Sequence, residues 1–266
     1  MVAICSIDNI HESKMTLKDK LKTSQFTLGS WITLAHPAIA EIMCKAGFDW
    51  LAVDLEHSVI TIREAEELIR IIDLCGVSPL VRLTSNNADL IKRVMDAGAQ
   101  GVIVPMVNSE QDAKRAVQSV HYPPTGSRGV GLARAQGYGT KFQEYYDWQQ
   151  DQAVVVVQIE HIEAVQNIES ILAVEGVDGY ILGPYDLSGS MGIPGQFDHP
   201  DFLAALDLVR TKAQEMNVPG GIHIIEPDQA QLQMRMDEGY RFVAYSLDIR
   251  MLDAASREAC NMIRDI

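Results

Sequence analysis

The chain has 266 residues and a mass of 29.4 kDa, with 47% hydrophobic and 22% charged residues. That length suits one domain with a large core, close to the ~250 residues of a (β/α)8 barrel. The formal net charge of −14 excludes the clustered Lys and Arg excess that a nucleic-acid-binding surface requires.

Cys5, Cys44, Cys75 and Cys260 are scattered without CxxC or Cys/His ligand spacing, which predicts reduced thiols in a cytoplasmic protein. Met1 to Lys22 lacks the order of charge, apolar run and small residues of a signal peptide. Nothing approaches the ~20 apolar residues of a membrane span.

In chain order, residues 1–15 read as a leader and Thr16 to Ser24 as a short polar helix covering one end of the fold. Leu28 to Leu34 reads as a strand, and Pro37 to Ala46 as a helix stopped by Gly47. Asp49 to Leu55 is the next strand, followed by a helix from Thr61 to Leu74 with apolar residues at helical spacing. Pro79 to Leu83 is a short strand, and Asn87 to Ala97 a helix stopped by Gly98. Gly101 to Val107 is a strand, and Ser109 is placed to cap a helix running to Val120.

Four joints share one form: AGFDWLAVDLE, AGAQGVIVPMV, EGVDGYILGPYD and EGYRFVAYSLD. Each is a helix end, a Gly, one or two polar residues and an apolar strand, as expected of helix-to-strand hand-offs with Gly at the cap. Strand starts at Leu28, Asp49, Pro79, Gly101, Ala153, Tyr180, Pro219 and Arg241 make eight, favouring a closed parallel barrel over an open sheet. The expected organisation is a single (β/α)8 TIM barrel over 1–266. It comprises a leader and helix (1–27), the barrel (28–248) and a C-terminal helix (249–266) that packs on its own barrel or on another subunit. His121 to Gln152, rich in Gly, Pro and aromatics, is longer than a barrel connection needs, which marks it as functional or as an interface.

Catalytic groups of such a barrel gather at the C-terminal ends of its strands. The polar residues there are Trp31, then Asp54, Glu56 and His57, then Arg82, Gln158, Glu160, Asp186 and His223. Glu160 and Asp186, past two consecutive strands, offer hard oxygen ligands to Mg²⁺ or Mn²⁺, with Co²⁺ or Zn²⁺ as further candidates. The bland alternative makes one acid a helix cap and the other a partner of Arg82. Asp54 and His57 suggest an orienting acid and a base, although a lone His after a strand is more often a cap. Arg82, inside PLVRL, needs an anion: a substrate carboxylate or enolate, or Glu160. No lysine lies in a predicted strand, which disfavours Schiff-base chemistry. No dinucleotide or P-loop fingerprint occurs.

GSWITLAHP, AGFDWLAVDLEH, VRLTSNNADLIKRVMDAGAQGVIVPMV, YPPTGSRGVG, VQIE and GVDGYILGPYDLSGSMG occur in that order. With them the sequence resembles the HpcH/HpaI family of metal-dependent (class II) pyruvate aldolases from about Leu28 to Leu252. The resemblance implies reversible aldol cleavage of a 4-hydroxy-2-oxo acid, such as a 2-oxo-3-deoxy sugar acid, to pyruvate and an aldehyde through a pyruvate enolate. It implies a divalent metal on Glu160 and Asp186, with Gln158 and Arg82 contacting pyruvate oxygens. The backbone of Gly183, Pro184 and Tyr185 would hold the carboxylate, and the Asp54–His57 pair would move protons. Trp31, Ser188 and His223 complete the implied substrate-binding set, and a hexamer or trimer the implied assembly.

Two positions depart from the family pattern. Tyr185 adds bulk where many members have Ala, and His223 stands where an apolar contact to the aldehyde is expected, offering to bind a hydroxyl or carboxylate instead. Decarboxylation of oxaloacetate uses the same enolate chemistry and is the alternative reaction. A CoA-thioester lyase and a non-catalytic barrel are the more distant alternatives.

Overall fold

Runs of Val, Ile and Leu flanked by Gly form eight parallel strands: β1 (Thr27–Ile32), β2 (Trp50–Asp54), β3 (Ser78–Arg82), β4 (Gly101–Val104), β5 (Val154–Ile159), β6 (Gly179–Leu182), β7 (Gly220–Ile224) and β8 (Phe242–Leu247). They pair in sequence order, and β8 returns to β1 to close the barrel. This computed structural model describes residues 15–264, so the expected leader lies, apart from Met15, outside the described residues.

Between the strands run α2 (Pro37–Lys45), α3 (Ile62–Leu74), α4 (Ala88–Asp96), α5 (Glu110–Val120), the short α7 (Ile162–Gln166) and α8 (Ile168–Leu172), α10 (Pro200–Glu215) and α11 (Gln229–Asp237). Thr61 and Glu64 form a reciprocal capping box on α3, and Ser109 caps α5 through the Asp112 N–H. The glycines of the four repeated joints, Gly47, Gly98, Gly176 and Gly239, all have φ between 95° and 104°. The left-handed turn that ends each helix is why the same residue recurs there.

Alternation along the strands sorts side chains into two cores. Outward residues such as Leu51, Val53, Val81, Val155, Val157 and Ile159 meet the helices. Inward residues Trp31, Trp50, Ala52, Leu80, Ile103, Val154, Val156, Ile181, Phe242 and Ala244 fill the barrel. Trp50 stacks on Phe242 at 4.1 Å and lies over Gly29, where a Cβ would stand 2.0 Å from the indole. The inward rows continue upward into polar residues: Trp50, Ala52, then Asp54; Leu80, then Arg82; Val154, Val156, Gln158, then Glu160. One period-2 pattern thus packs the barrel and aims the polar groups at its C-terminal mouth.

The opposite end is closed by α1 (Leu17–Lys22), whose Leu17 and Leu21 join the inner core. Lys18, buried with them, donates to the Ala153 carbonyl at 2.9 Å and pairs with Asp178 at 2.5 Å. The connection from His121 to Gln152 is only partly a loop, since it contains a 3-10 turn at Arg134–Gly139 and the helix α6 (Phe142–Gln152). Arg128 lies over the Tyr122 ring, and Arg134 reaches Asp73 at 2.6 Å, fixing this segment to the outside of α3 and α4. None of its residues lines the cavity at the C-terminal mouth.

Because both charges of the Lys18–Asp178 pair are buried, removing one leaves the other without compensation. Lys18→Met is expected to cost about 3 kcal/mol in denaturant unfolding. A loss below the ~0.5 kcal/mol of an ordinary surface substitution would contradict this account of α1 as a structural plug.

Candidate active site

The C-terminal mouth opens on a cavity of about 500 Å³ lined by Trp31, Asp54, His57, Arg82, Gln158, Gly183, Pro184, Tyr185, Asp186 and His223. Two expected site residues do not line it: Glu160, buried behind Gln158 and Gly183, and Ser188. The Ser188 hydroxyl donates to the Tyr185 carbonyl at 2.8 Å and accepts from the Gly195 N–H at 3.0 Å, folding the turn after α9 (Pro184–Ser190). Ser188 therefore holds the loop rather than a ligand.

Glu160 follows β5 and is 2% exposed. Its Oε1 accepts from the Met106 backbone N–H at 2.7 Å, and its Oε2 from the Gln158 amide. Met106 presents that N–H by adopting φ +51°, a left-handed conformation costly for a side chain of this size. Burial raises the Glu160 pKa, Asp186 adds to the rise, and the two hydrogen bonds and Arg82 oppose it. Asp186 sits exposed in the first turn of α9, at the cavity wall. Gly183 lets this turn approach, since a Cβ there would stand 2.7 Å from Glu160 Cβ and 2.8 Å from Oε2.

A divalent cation fits this donor set. It would offset the burial of Glu160 and the repulsion between the two acids. No cluster of three or more His, Cys, Asp or Glu suited to a metal occurs among the described residues. The pair alone would leave most positions of a hard cation to water and substrate oxygens.

The structure corrects one pairing. Asp54, 1% exposed, holds Arg82 by a two-pronged contact, Nε to Oδ1 at 2.9 Å and Nη2 to Oδ2 at 2.6 Å. Its Oδ1 also accepts the backbone N–H groups of Glu56 and His57 at 3.0 and 3.3 Å. The carboxylate is thus engaged by Arg82 and the turn, and does not orient the His57 ring. That ring, 62% exposed, has Nε2 3.7 Å from Glu56 Oε2. Glu56 also stands 3.5 Å from Arg82 Nε, and its Oε2 has no hydrogen-bond partner. Burial pushes the Glu56 pKa up to about 7, against Arg82 and with help from Glu160, Asp54 and Asp186. Glu56 stands at the mouth in the sequence without an evident role, and the one signal for it there is an acid directly beside His57.

Arg82 lies 4.3 Å over the Trp31 ring. Trp31 Nε1 and Gln158 Oε1 are buried without partners. Trp31 and His223 meet in a T-shaped pair with ring centroids 5.7 Å apart, and His223 Nε2 is 3.2 Å from the Ser246 carbonyl.

The model of the HpcH/HpaI aldolase/citrate lyase family matches residues 27–255. A hydroxypyruvate/pyruvate aldolase of Sagittula stellata is 38% identical over 244 residues, 91% of this chain and 95% of that protein. The chain belongs to the HpcH/HpaI family. The enzyme is an aldolase. It is 37% identical to a 4-hydroxy-2-oxo-heptane-1,7-dioate aldolase of Salmonella typhimurium, over 90% of each chain. The crystal structure of a family protein from Burkholderia cenocepacia superposes with a TM-score of 0.88 at 32% identity, covering 93% of this chain and 98% of that one. No helix of the described residues is long and apolar enough to cross a membrane.

Two measurements follow from the geometry of this aldolase. Gly183→Ala is expected to weaken Mn²⁺ binding, followed by calorimetry, by roughly 10–100-fold with the circular dichroism unchanged. Unaltered affinity would remove Gly183 from the account. Between pH about 4.5 and about 7 native Glu56 keeps a proton that the unfolded chain has released. The native state then binds more protons, so stability falls as pH rises through that window. In the metal-free protein Glu56→Gln should lessen the fall in melting temperature between pH 5 and pH 8, and an equal fall in both proteins would contradict it.

Proposed function

We propose that this aldolase cleaves a 4-hydroxy-2-oxo acid to pyruvate and an aldehyde, and catalyses the reverse condensation. The observation that carries the reading is one open cavity lined by Asp186, Arg82, Gln158 and Gly183, with buried Glu160 directly against the last two. Class II aldolases of this family generally depend on a divalent metal. Bound by Glu160 and Asp186, Mg²⁺ or Mn²⁺ (alternatively Co²⁺ or Zn²⁺) would supply Lewis-acid polarisation of the 2-oxo group.

The chain's own residues supply the rest. Asp54 fixes the Arg82 guanidinium through Nε and Nη2, leaving Nη1 for the oxygen that becomes negative as the enolate forms. Gln158 keeps a second N–H hydrogen for a substrate oxygen after donating to Glu160. The first turn of α9 leaves the N–H groups of Tyr185 and Asp186 without intrahelical acceptors, suited to the carboxylate. In cleavage, His57 takes the proton of the C4 hydroxyl, and Glu56 in its ionised form favours the imidazolium that results. The C3–C4 bond breaks, its electron pair passes into the enolate, and protonation at C3 gives pyruvate.

Assembly belongs to the same reading. Leu252 and Ile263 of α12 (Asp248–Arg264) are exposed apolar residues suited to a partner barrel, as a trimer or hexamer would provide.

Pyruvate release from a racemic 4-hydroxy-2-oxo acid, coupled to lactate dehydrogenase, tests the proposal. Arg82→Ala and Asp186→Asn should each lower kcat/KM by at least roughly 100-fold with the fold retained. Wild-type rates in either variant would overturn the assignment.

A further inference from the structure

Between Gly29 and Trp31 the pairing of β1 with β8 slips, from Gly29 opposite Ala244 to Trp31 opposite Leu247. β8 therefore holds one extra residue here, a bulge at the rim of the catalytic mouth. Within it, Ser246 has φ +53°, a left-handed conformation, although it is not a glycine. It is fully buried and held from both sides. Its hydroxyl donates to the Ile225 carbonyl at 2.9 Å, and its carbonyl accepts from Ser30 Oγ at 3.2 Å. The same carbonyl lies 3.2 Å from His223 Nε2.

A carbonyl only accepts, so Nε2 carries the hydrogen, and in a neutral imidazole Nδ1 is then an acceptor with no hydrogen to give. Burial, helped by the Arg82 cation and opposed by the Ser246 bond, holds the His223 pKa down to about 4, so the ring is neutral at working pH. Among the described residues nothing hydrogen-bonds to Nδ1, and it is not among the sealed polar atoms.

Once Glu160, Gln158 and Asp186 are assigned to the 2-oxo acid, the β7–β8 side of the cavity remains. His223 shares that side with Ile225, Leu247 and Ile249. The cation at its edge, Arg250, is already neutralised by Glu226 at 2.7 Å and Asp253 at 2.6 Å. This wall offers an acceptor, apolar surface and no uncommitted positive charge. A carboxylate would meet a lone pair at Nδ1, whereas a hydroxyl would donate to it.

We infer that His223 is a specificity-determining residue that accepts a hydrogen bond from a hydroxyl of the aldehyde, so the enzyme's aldehyde partners are neutral hydroxyaldehydes rather than carboxylate-bearing or purely alkyl ones. The inference rests on the proposed aldol reaction. It assigns Ser246 the part of a positioning residue, whose strained backbone fixes the imidazole tautomer.

The test compares condensation of pyruvate with glycolaldehyde, with propanal, in which a methyl replaces the hydroxyl, and with succinic semialdehyde. The ratio of kcat/KM values within one protein cancels any general loss of activity. Wild type should prefer glycolaldehyde over propanal by roughly tenfold and over succinic semialdehyde by more. In His223→Leu the glycolaldehyde-to-propanal ratio should fall toward one. His223→Asn, which returns an acceptor oxygen near the Nδ1 position, should restore part of it.

An independent readout is the long-range ¹H–¹⁵N NMR pattern of ¹⁵N-histidine-labelled protein, which should show the Nε2–H tautomer. A wild-type ratio near one, a ratio unchanged in His223→Leu, or an Nδ1–H tautomer would each overturn the inference while leaving the aldol reaction standing. Wild-type enzyme that condenses no aldehyde with pyruvate would overturn both.

Discussion

A carboxylate at the end of an inward row of valines is the constraint on which the site depends. Val154, Val156, Gln158 and Glu160 point into the barrel by the same alternation, so the row that fills the core also delivers an acid to its rim. Ionising that acid in such surroundings is unfavourable unless hydrogen bonds and positive charge meet it. The Met106 N–H and the Gln158 amide meet part of the need, and Arg82 adds charge from across the mouth. The remainder is the physical argument for a cation between Glu160 and Asp186. The same argument explains a glycine at 183, because any side chain there would collide with the carboxylate it must leave room for.

Two of the five non-glycine residues at positive φ among the described residues serve this site: Met106, just past β4, and Ser246, near the end of β8. One turns an N–H toward a carboxylate; the other turns a carbonyl toward an imidazole. Each is an over-determined position, held by neighbours whose packing offsets the unfavourable conformation. In the proposed reaction the barrel would thus direct the pyruvate end through a donor on the β4 side, and the aldehyde end through an acceptor on β8.

The eight strands were legible in the sequence because buried parallel strands read as unbroken apolar runs, and the four repeated joints carry glycines that the backbone requires at positive φ. Residues of the inner rows were legible for the same reason, since Asp54, Arg82, Gln158 and Glu160 are polar exceptions in apolar strands. Pairing was less so. Asp54 and His57 are three apart in a turn, and spacing alone does not reveal that the acid turns back to Arg82 while Glu56 takes the place beside the imidazole. Ser188 lies in a motif shared with Asp186 yet faces its own loop. The β8 bulge leaves no mark in Phe242–Leu247, because Ser at positive φ is chosen by tertiary contacts and not by propensity.

The central claim is that these groups make an enolate from pyruvate, and it can be tested without knowing the aldehyde. Pyruvate incubated in D₂O with metal-stripped or Mg²⁺-loaded enzyme, its methyl signal followed by proton NMR, isolates that step. The methyl hydrogens are expected to exchange in the loaded enzyme well above the metal-free rate, and this exchange to be lost in Arg82→Ala. Exchange that is independent of both metal and Arg82, or absent in an enzyme that still cleaves a 4-hydroxy-2-oxo acid, would contradict that claim.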